Sequence, residues 1–279
     1  MSYLSLSTWS LHRNLGPLRW TQWDADAQKH VFAETPQPEL MNLLDLPAYM
    51  AGQGFGALEI GHFHFPSTDD DYLAKLRGAF ASAGLSFDTV LLDYGDISSA
   101  DDVRRQADIA YIREWIDIAA KAGAKNIRVV AGESEPSDEA ALTRSIEALK
   151  ELHAYGQSSN VRVITENFKP LTSTSANVLA IVGAFDGKLN VVDDFGNFKG
   201  ETKYEQLAAV LPYAVSIHAK AHYDENGIPD TEEYVRCLDL LREGRYDGAI
   251  SLIYDGPGDM WEGINRVRRI VEPYLQASH

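Results

Sequence analysis

Cysteine is nearly absent: Cys237 is the single one in 279 residues. One thiol cannot form an intramolecular disulfide, and it excludes a cysteine-based zinc cluster. Basic residues are also scarce. Lys and Arg number 25 against 41 Asp and Glu, for a formal net charge of −16. Such a surface repels phosphate backbones and anionic headgroups, so neither nucleic acid nor a membrane is an expected partner. No apolar run reaches the roughly 18 residues of a membrane span. The stretch Met1–Trp9 lacks the basic and apolar segments of a secretion signal, which makes the cytoplasm the expected location. Gly-x-Gly-x-x-Gly and Gly-x-x-x-x-Gly-Lys-Ser/Thr are both missing, which weakens a nucleotide-binding reading.

What the chain does have is rhythm. Short apolar runs occur at Leu4–Thr8, Ala57–Ile60, Phe87–Leu92, Asn126–Val130, Arg162–Thr165, Leu189–Val192, Ala214–His218 and Ala249–Ile253. Most are rich in Val, Ile and Leu, as strands covered on both faces should be. Helical patterns fill the gaps. Ile109, Ile112, Ile116 and Ala120 form one stripe, with Ser99 and Asp102 as an N-terminal cap pair and Gly123 as the stop. Leu142, Ile146, Leu149 and Leu152 form the next, with Ser137 as the cap and Gly156 as the end. Weaker stripes follow at Ala176–Val182, Tyr204–Leu211, Glu232–Leu241 and Trp261–Tyr274. Eight strand–helix units in this length predict an α/β fold, a closed (β/α)8 barrel occupying residues 1–279 as a single domain. The rhythm is broken only by a long first loop, about residues 10–45, holding His12, Trp20, Trp23 and His30. It reads either as a surface insertion or as a lid over the barrel mouth.

Barrel chemistry sits at the C-terminal ends of the strands. The fifth run ends in Glu166; a carboxylate closing an apolar strand meets a cation or is simply solvated. The sixth ends in Asp193 and Asp194, which must face opposite ways, so one can reach the axis while the other caps the next turn. In the seventh, Ser216, His218, Lys220 and His222 alternate with apolar residues and are expected on the axis. Neutral imidazole beside carboxylates is good metal chemistry, and Lys220 can hold an oxyanion or phosphate. At the end of the second run and just beyond it, Glu59, His62 and His64 can line a pocket, supply an acid or base, or merely fill the rim. Arg128 in the fourth can contact substrate or pair at the surface. Ser5 and Ser7 read as small axial packing groups.

Glu166-Asn167, Asp194-Phe195-Gly196-Asn197-Phe198, and His218-Ala-Lys220 followed by Asp224-Glu225-Asn226-Gly227 resemble the sugar phosphate isomerase/epimerase-like proteins of the xylose-isomerase-like TIM-barrel superfamily. The likeness is strongest over the last two-fifths of the chain. It implies one divalent metal, Mn, Mg, Co or Zn, held by Glu166, Asp194 and His218. It implies proton abstraction beside a carbonyl, with Glu166 as ligand and base and carbohydrate metabolism as the context; from their strand-end positions His62 and Lys220 are read as further catalytic groups. A small sugar or sugar phosphate would be contacted by Trp9, Glu59, His64, Arg128, His222 and Asp255, with Trp20 a further aromatic contact. A homo-oligomer is compatible with it.

The pattern departs at the eighth run, where Ile253 stands in place of the family's second glutamate. Isoleucine neither ligates nor transfers protons. Asp255 or water can complete the site, Glu59 or His62 can replace the missing group, or the metal is lost and a sugar-like ligand still binds. A lyase or dehydratase, which needs one base only, and a non-catalytic sugar-binding barrel are therefore alternatives to an isomerase.

Overall fold

The apolar runs are indeed strands, and eight of them wrap into a cylinder in a computed structural model that describes residues 2–275. The terminal positions of the expected 1–279 domain, including His279, lie outside the described residues. The barrel strands are β1 (Tyr3–Ser7), β4 (Ala57–Gly61), β5 (Ser86–Leu92), β6 (Asn126–Val129), β7 (Arg162–Glu166), β8 (Val191–Asp194), β9 (Ala214–Lys220) and β10 (Ala249–Ile253). They pair in parallel and in chain order, and β1 closes the ring against β10. Helices α1 (Leu46–Gly52), α2 (Asp70–Ala83), α3 (Asp102–Ala122), α4 (Glu139–Ser158), α5 (Ser175–Gly183), α6 (Lys203–Val210), α7 (Thr231–Glu243) and α8 (Met260–Val271) follow the barrel strands in turn. This is a (β/α)8 TIM barrel. The core lies between strands and helices, where Leu58, Ile60, Val90, Ile127, Val163, Ile217 and Leu252 meet Leu73, Ile112, Leu149, Val178 and Ile264, all with no measurable exposure.

Several local expectations shift. The sixth strand starts two residues later than Leu189, so both aspartates belong to it. Asp101, not Ser99, caps α3, its side chain accepting from the amides of Val103 and Arg104. Asp138 rather than Ser137 caps α4. Gly156 does not end α4 but lies within it, at a point where a Cβ would sit 2.7 Å from the Val161 carbonyl oxygen. On α3 the buried stripe continues through Ala119 and Ala122, with Ala120 only partly covered.

The long first loop contains an antiparallel hairpin, β2 (Leu18–Asp24) and β3 (Lys29–Thr35). The hairpin leans on the barrel end: Thr21 shares a hydrogen with the Tyr111 hydroxyl (2.7 Å), His30 Nε2 meets Asp108 (2.9 Å), and Trp20 packs on Phe63 at 4.7 Å between centroids. No helix among the described residues is long and apolar enough to cross a membrane.

Candidate active site at the barrel mouth

Parallel strands send alternate side chains to the axis, and their carboxyl ends share one rim. Glu166 closes β7, Asp194 closes β8, and His218 lies opposite Asp194 in the β8–β9 register. These three are brought together. One ligand atom from each lies within 4.8 Å of the others. His218 Nδ1 stands 3.5 Å from Glu166 Oε1 and 3.5 Å from Asp194 Oδ2. All three side chains are buried.

Each is also held from behind. His218 Nε2 lies 2.9 Å from Glu59 Oε2, one layer down the barrel, and Glu59 accepts from Ser251 (2.6 Å) and Ser216 (2.8 Å). Burial by itself raises the Glu59 carboxyl, but His218 and the two hydroxyls hold it below its ordinary value. Burial opposes charge on His218 too, yet Glu59 and Glu166 push the imidazole well above its usual range. Glu59 turns Nδ1 toward Glu166 and Asp194, the arrangement by which a carboxylate behind a histidine orients a metal ligand. The Asn167 side chain pins the Asp194 backbone, accepting from its amide (2.7 Å) and donating to its carbonyl (3.0 Å). Gly196 leaves room for this turn, since a Cβ would meet Lys220 at 3.0 Å and Asp194 Oδ1 at 3.1 Å. Asp193 faces away from the axis, and among the described residues its side chain makes no capping hydrogen bond. Burial, with Asp194 and Glu166 nearby, pushes its carboxyl well above the usual range.

A cavity of about 340 Å³ opens above the three residues. Arg128 and Lys220 both line it. Arg128 is buried, donates to the Leu92 carbonyl, pairs with Asp93 and places Nε 2.9 Å from Glu166 Oε2. Lys220 Nζ pairs with Asp255 at 2.6 Å; burial opposes its charge, but Asp194 and Asp255 raise it above the ordinary lysine value. Trp9, Trp20 and Phe63 form an aromatic wall, and Phe168 lies under Arg128 at 5.1 Å. Ile253, at the end of β10, gives the cavity an apolar side chain.

The other candidates lie elsewhere. Glu59 is below the cavity rather than in it. His62 is buried outside the lining and accepts from the Asp93 amide through Nδ1 at 3.2 Å; burial drives its imidazole down to about 4. His64 is buried against Thr8 (2.8 Å) and driven down to about 3 for the same reason. His222 follows β9 and points to the rim, bonded to Glu233 (2.5 Å) and Lys199 (3.2 Å), because the strand ends at Lys220 and the alternation stops with it. Ser7 lines the mouth, whereas Ser5 lies deeper against Ser251. Asp93, Phe168, Lys169 and Asn197 line the cavity without having been singled out for it from sequence. Asp93 directly follows the Phe87–Leu92 run, so the strand-end criterion would have found it.

The sequence matches the model of the xylose isomerase-like TIM barrel over residues 47–270. The chain belongs to this family. Within the family's fold it is similar to L-ribulose 3-epimerase, with 16% identity, a TM-score of 0.72, and coverage of 99% of this chain and 95% of the other. D-allulose 3-epimerase from Methylomonas sp. gives 14% identity and 0.69, covering 98% of each. The probable 3-DHS dehydratase AsbF, involved in petrobactin synthesis, from Bacillus anthracis gives 17% and 0.67, covering 98% and 99%. At these identities the likeness is one of fold. No curated protein matches the sequence.

The family implies a divalent metal, and the residues present fit one. Two carboxylate oxygens and one imidazole nitrogen suit borderline divalent ions such as Mn, Co or Zn, and the nitrogen is already oriented by Glu59. Three protein ligands with a cavity above them leave positions for substrate, as in open catalytic sites.

Proposed function

We propose that this xylose isomerase-like barrel is a metal-dependent enzyme acting on a small sugar or related polyhydroxy carbonyl compound, as an isomerase or epimerase. The observation that carries this is the convergence of Glu166, Asp194 and His218 beneath one cavity, with Glu59 behind the histidine. A bound divalent ion supplies Lewis acidity toward a carbonyl and its neighbouring hydroxyl. Glu166 accepts the proton next to that carbonyl, and Arg128 fixes the orientation of its carboxylate. Lys220 contacts a substrate hydroxyl or oxyanion, and Asp255 orients the lysine. Trp9, Trp20 and Phe63 pack on C–H faces.

One observation favours a second reading. Ile253 gives the cavity an apolar side chain where a proton shuttle on two faces needs a second carboxylate. Elimination of water needs a single base, so a lyase or dehydratase fits the same site. Elemental analysis of purified wild type and Glu166→Ala, followed by NMR of ketose reactions in heavy water, tests both. Bound metal lost in the variant is expected. Deuterium incorporation without loss of water identifies epimerisation, and loss of water identifies elimination. Glu166→Gln is expected to abolish turnover in a folded protein. Full activity there, or no metal in either protein, overturns the proposal.

A further inference from the structure

Two residues of the mouth border a second space as well. Lys169 and Asn197 also line a cavity of about 410 Å³ between the loops after β6, β7 and β8. Its walls include Glu135, Pro170 and Ser173. The mouth alone is near the lower end of the roughly 300–1,000 Å³ of small-ligand sites.

The boundary between the two cavities is strained. Lys169 has φ 73° and ψ 166°, a region that essentially only glycine occupies and that costs about 1–3 kcal/mol. Pro170 restricts the preceding residue to an extended ψ. Thr172 Oγ1 holds the loop by accepting from the Phe168 amide (3.1 Å) and donating to the Phe168 carbonyl (2.7 Å). The strained residue is therefore kept in place where its side chain borders both spaces. Such outliers persist at ligand clamps because the surroundings overdetermine them.

The charges select the ligand. Lys169 Nζ lies 3.9 Å from Glu133, so its charge is already shared, and Glu135 adds a further carboxylate to the wall. A phosphate would face these two carboxylates. A neutral ring bearing hydroxyls would instead find donors on Lys169 and Asn197 and acceptors on Glu135 and Ser173. Among the described residues, the side chains of Glu135 and Ser173 make no hydrogen bond or ion pair. We infer that this groove binds a second, neutral sugar unit, so that the substrate is a glycoside or short oligosaccharide and not a free or phosphorylated monosaccharide. The inference rests on the sugar-processing reading of the mouth and narrows its substrate class.

Calorimetric titration of the Mn-loaded protein tests it, with glucose, galactose, mannose, glucose 6-phosphate, cellobiose, maltose, lactose and trehalose as probes. At least one disaccharide is expected to bind about tenfold more tightly than any of the monosaccharides. Ser173→Trp, a filling change on an exposed loop outside the mouth, is expected to remove that gain and leave monosaccharide affinity unchanged. Lys169→Gly, which suits the local backbone better than lysine, is expected to keep thermal stability and lose the gain. Equal affinity for disaccharides and monosaccharides, tighter binding of glucose 6-phosphate, or a gain surviving in both variants overturns the groove assignment while leaving the mouth reading intact. Binding of no saccharide overturns the mouth reading and this inference with it.

Discussion

Glu59 and His218 are 159 positions apart in the chain and meet at 2.9 Å inside the barrel. The contact decides which imidazole nitrogen faces the two carboxylates at the rim. Glu59 therefore shapes the site without touching the cavity. In Glu59→Gln the orienting charge is lost but the side-chain volume and the partners Ser216 and Ser251 remain. Manganese affinity is expected to fall about 10–100-fold, as for other carboxylates behind metal-bound histidines. Metal titration of the folded variant measures this, and wild-type affinity would remove Glu59 from the site.

Arg128 stands between two carboxylates, Asp93 and Glu166, and is itself buried. Removing one partner of a buried ionic group leaves uncompensated charge, which costs about 3–5 kcal/mol. Arg128→Met is expected to lower unfolding free energy by that order in urea denaturation at pH 7. A loss below about 1 kcal/mol, the value of an exposed pair, would show that water reaches the cluster.

His62 and His64 are both held neutral by burial, at about 4 and about 3. In the unfolded chain each titrates near 6.5. Above that value neither state binds the proton and nothing is lost. As pH falls from 6.5 toward 4, the unfolded chain gains protons that the folded one refuses, so stability declines across this window. Each histidine contributes on the order of 2–3 kcal/mol to the decline. His62→Asn keeps an acceptor for the Asp93 amide and is expected to flatten it, as seen by comparing urea midpoints at pH 7 and pH 4.5. An unchanged slope would place His62 in contact with solvent.

The hairpin is tied to α3 through His30 and Asp108, and through Thr21 and Tyr111. His30→Ala removes one of these ties from an element outside the barrel ladder. Amide hydrogen exchange is expected to accelerate over residues 18–35 and to remain slow in β4–β10. Faster exchange throughout the barrel would mean that the hairpin is integral to the core.

The sequence alone determined the barrel, because eight apolar runs separated by helical stripes admit few arrangements that cover both faces of every strand. It also placed Glu166, Asp194 and His218 at the ends or on the axial faces of their strands, since alternation and strand polarity are local properties. It did not reveal that β9 stops at Lys220, which puts His222 on the rim, nor that the chain after Gly61 turns into a short 3-10 helix that buries His62 and His64 beside the mouth. Nor did it reveal the partners. That Glu59 backs His218, that Arg128 grips Glu166, and that Lys220 pairs with Asp255 depend on how far neighbouring strands are staggered around a closed ring. That stagger is a property of the whole cylinder, and no single run of residues encodes it.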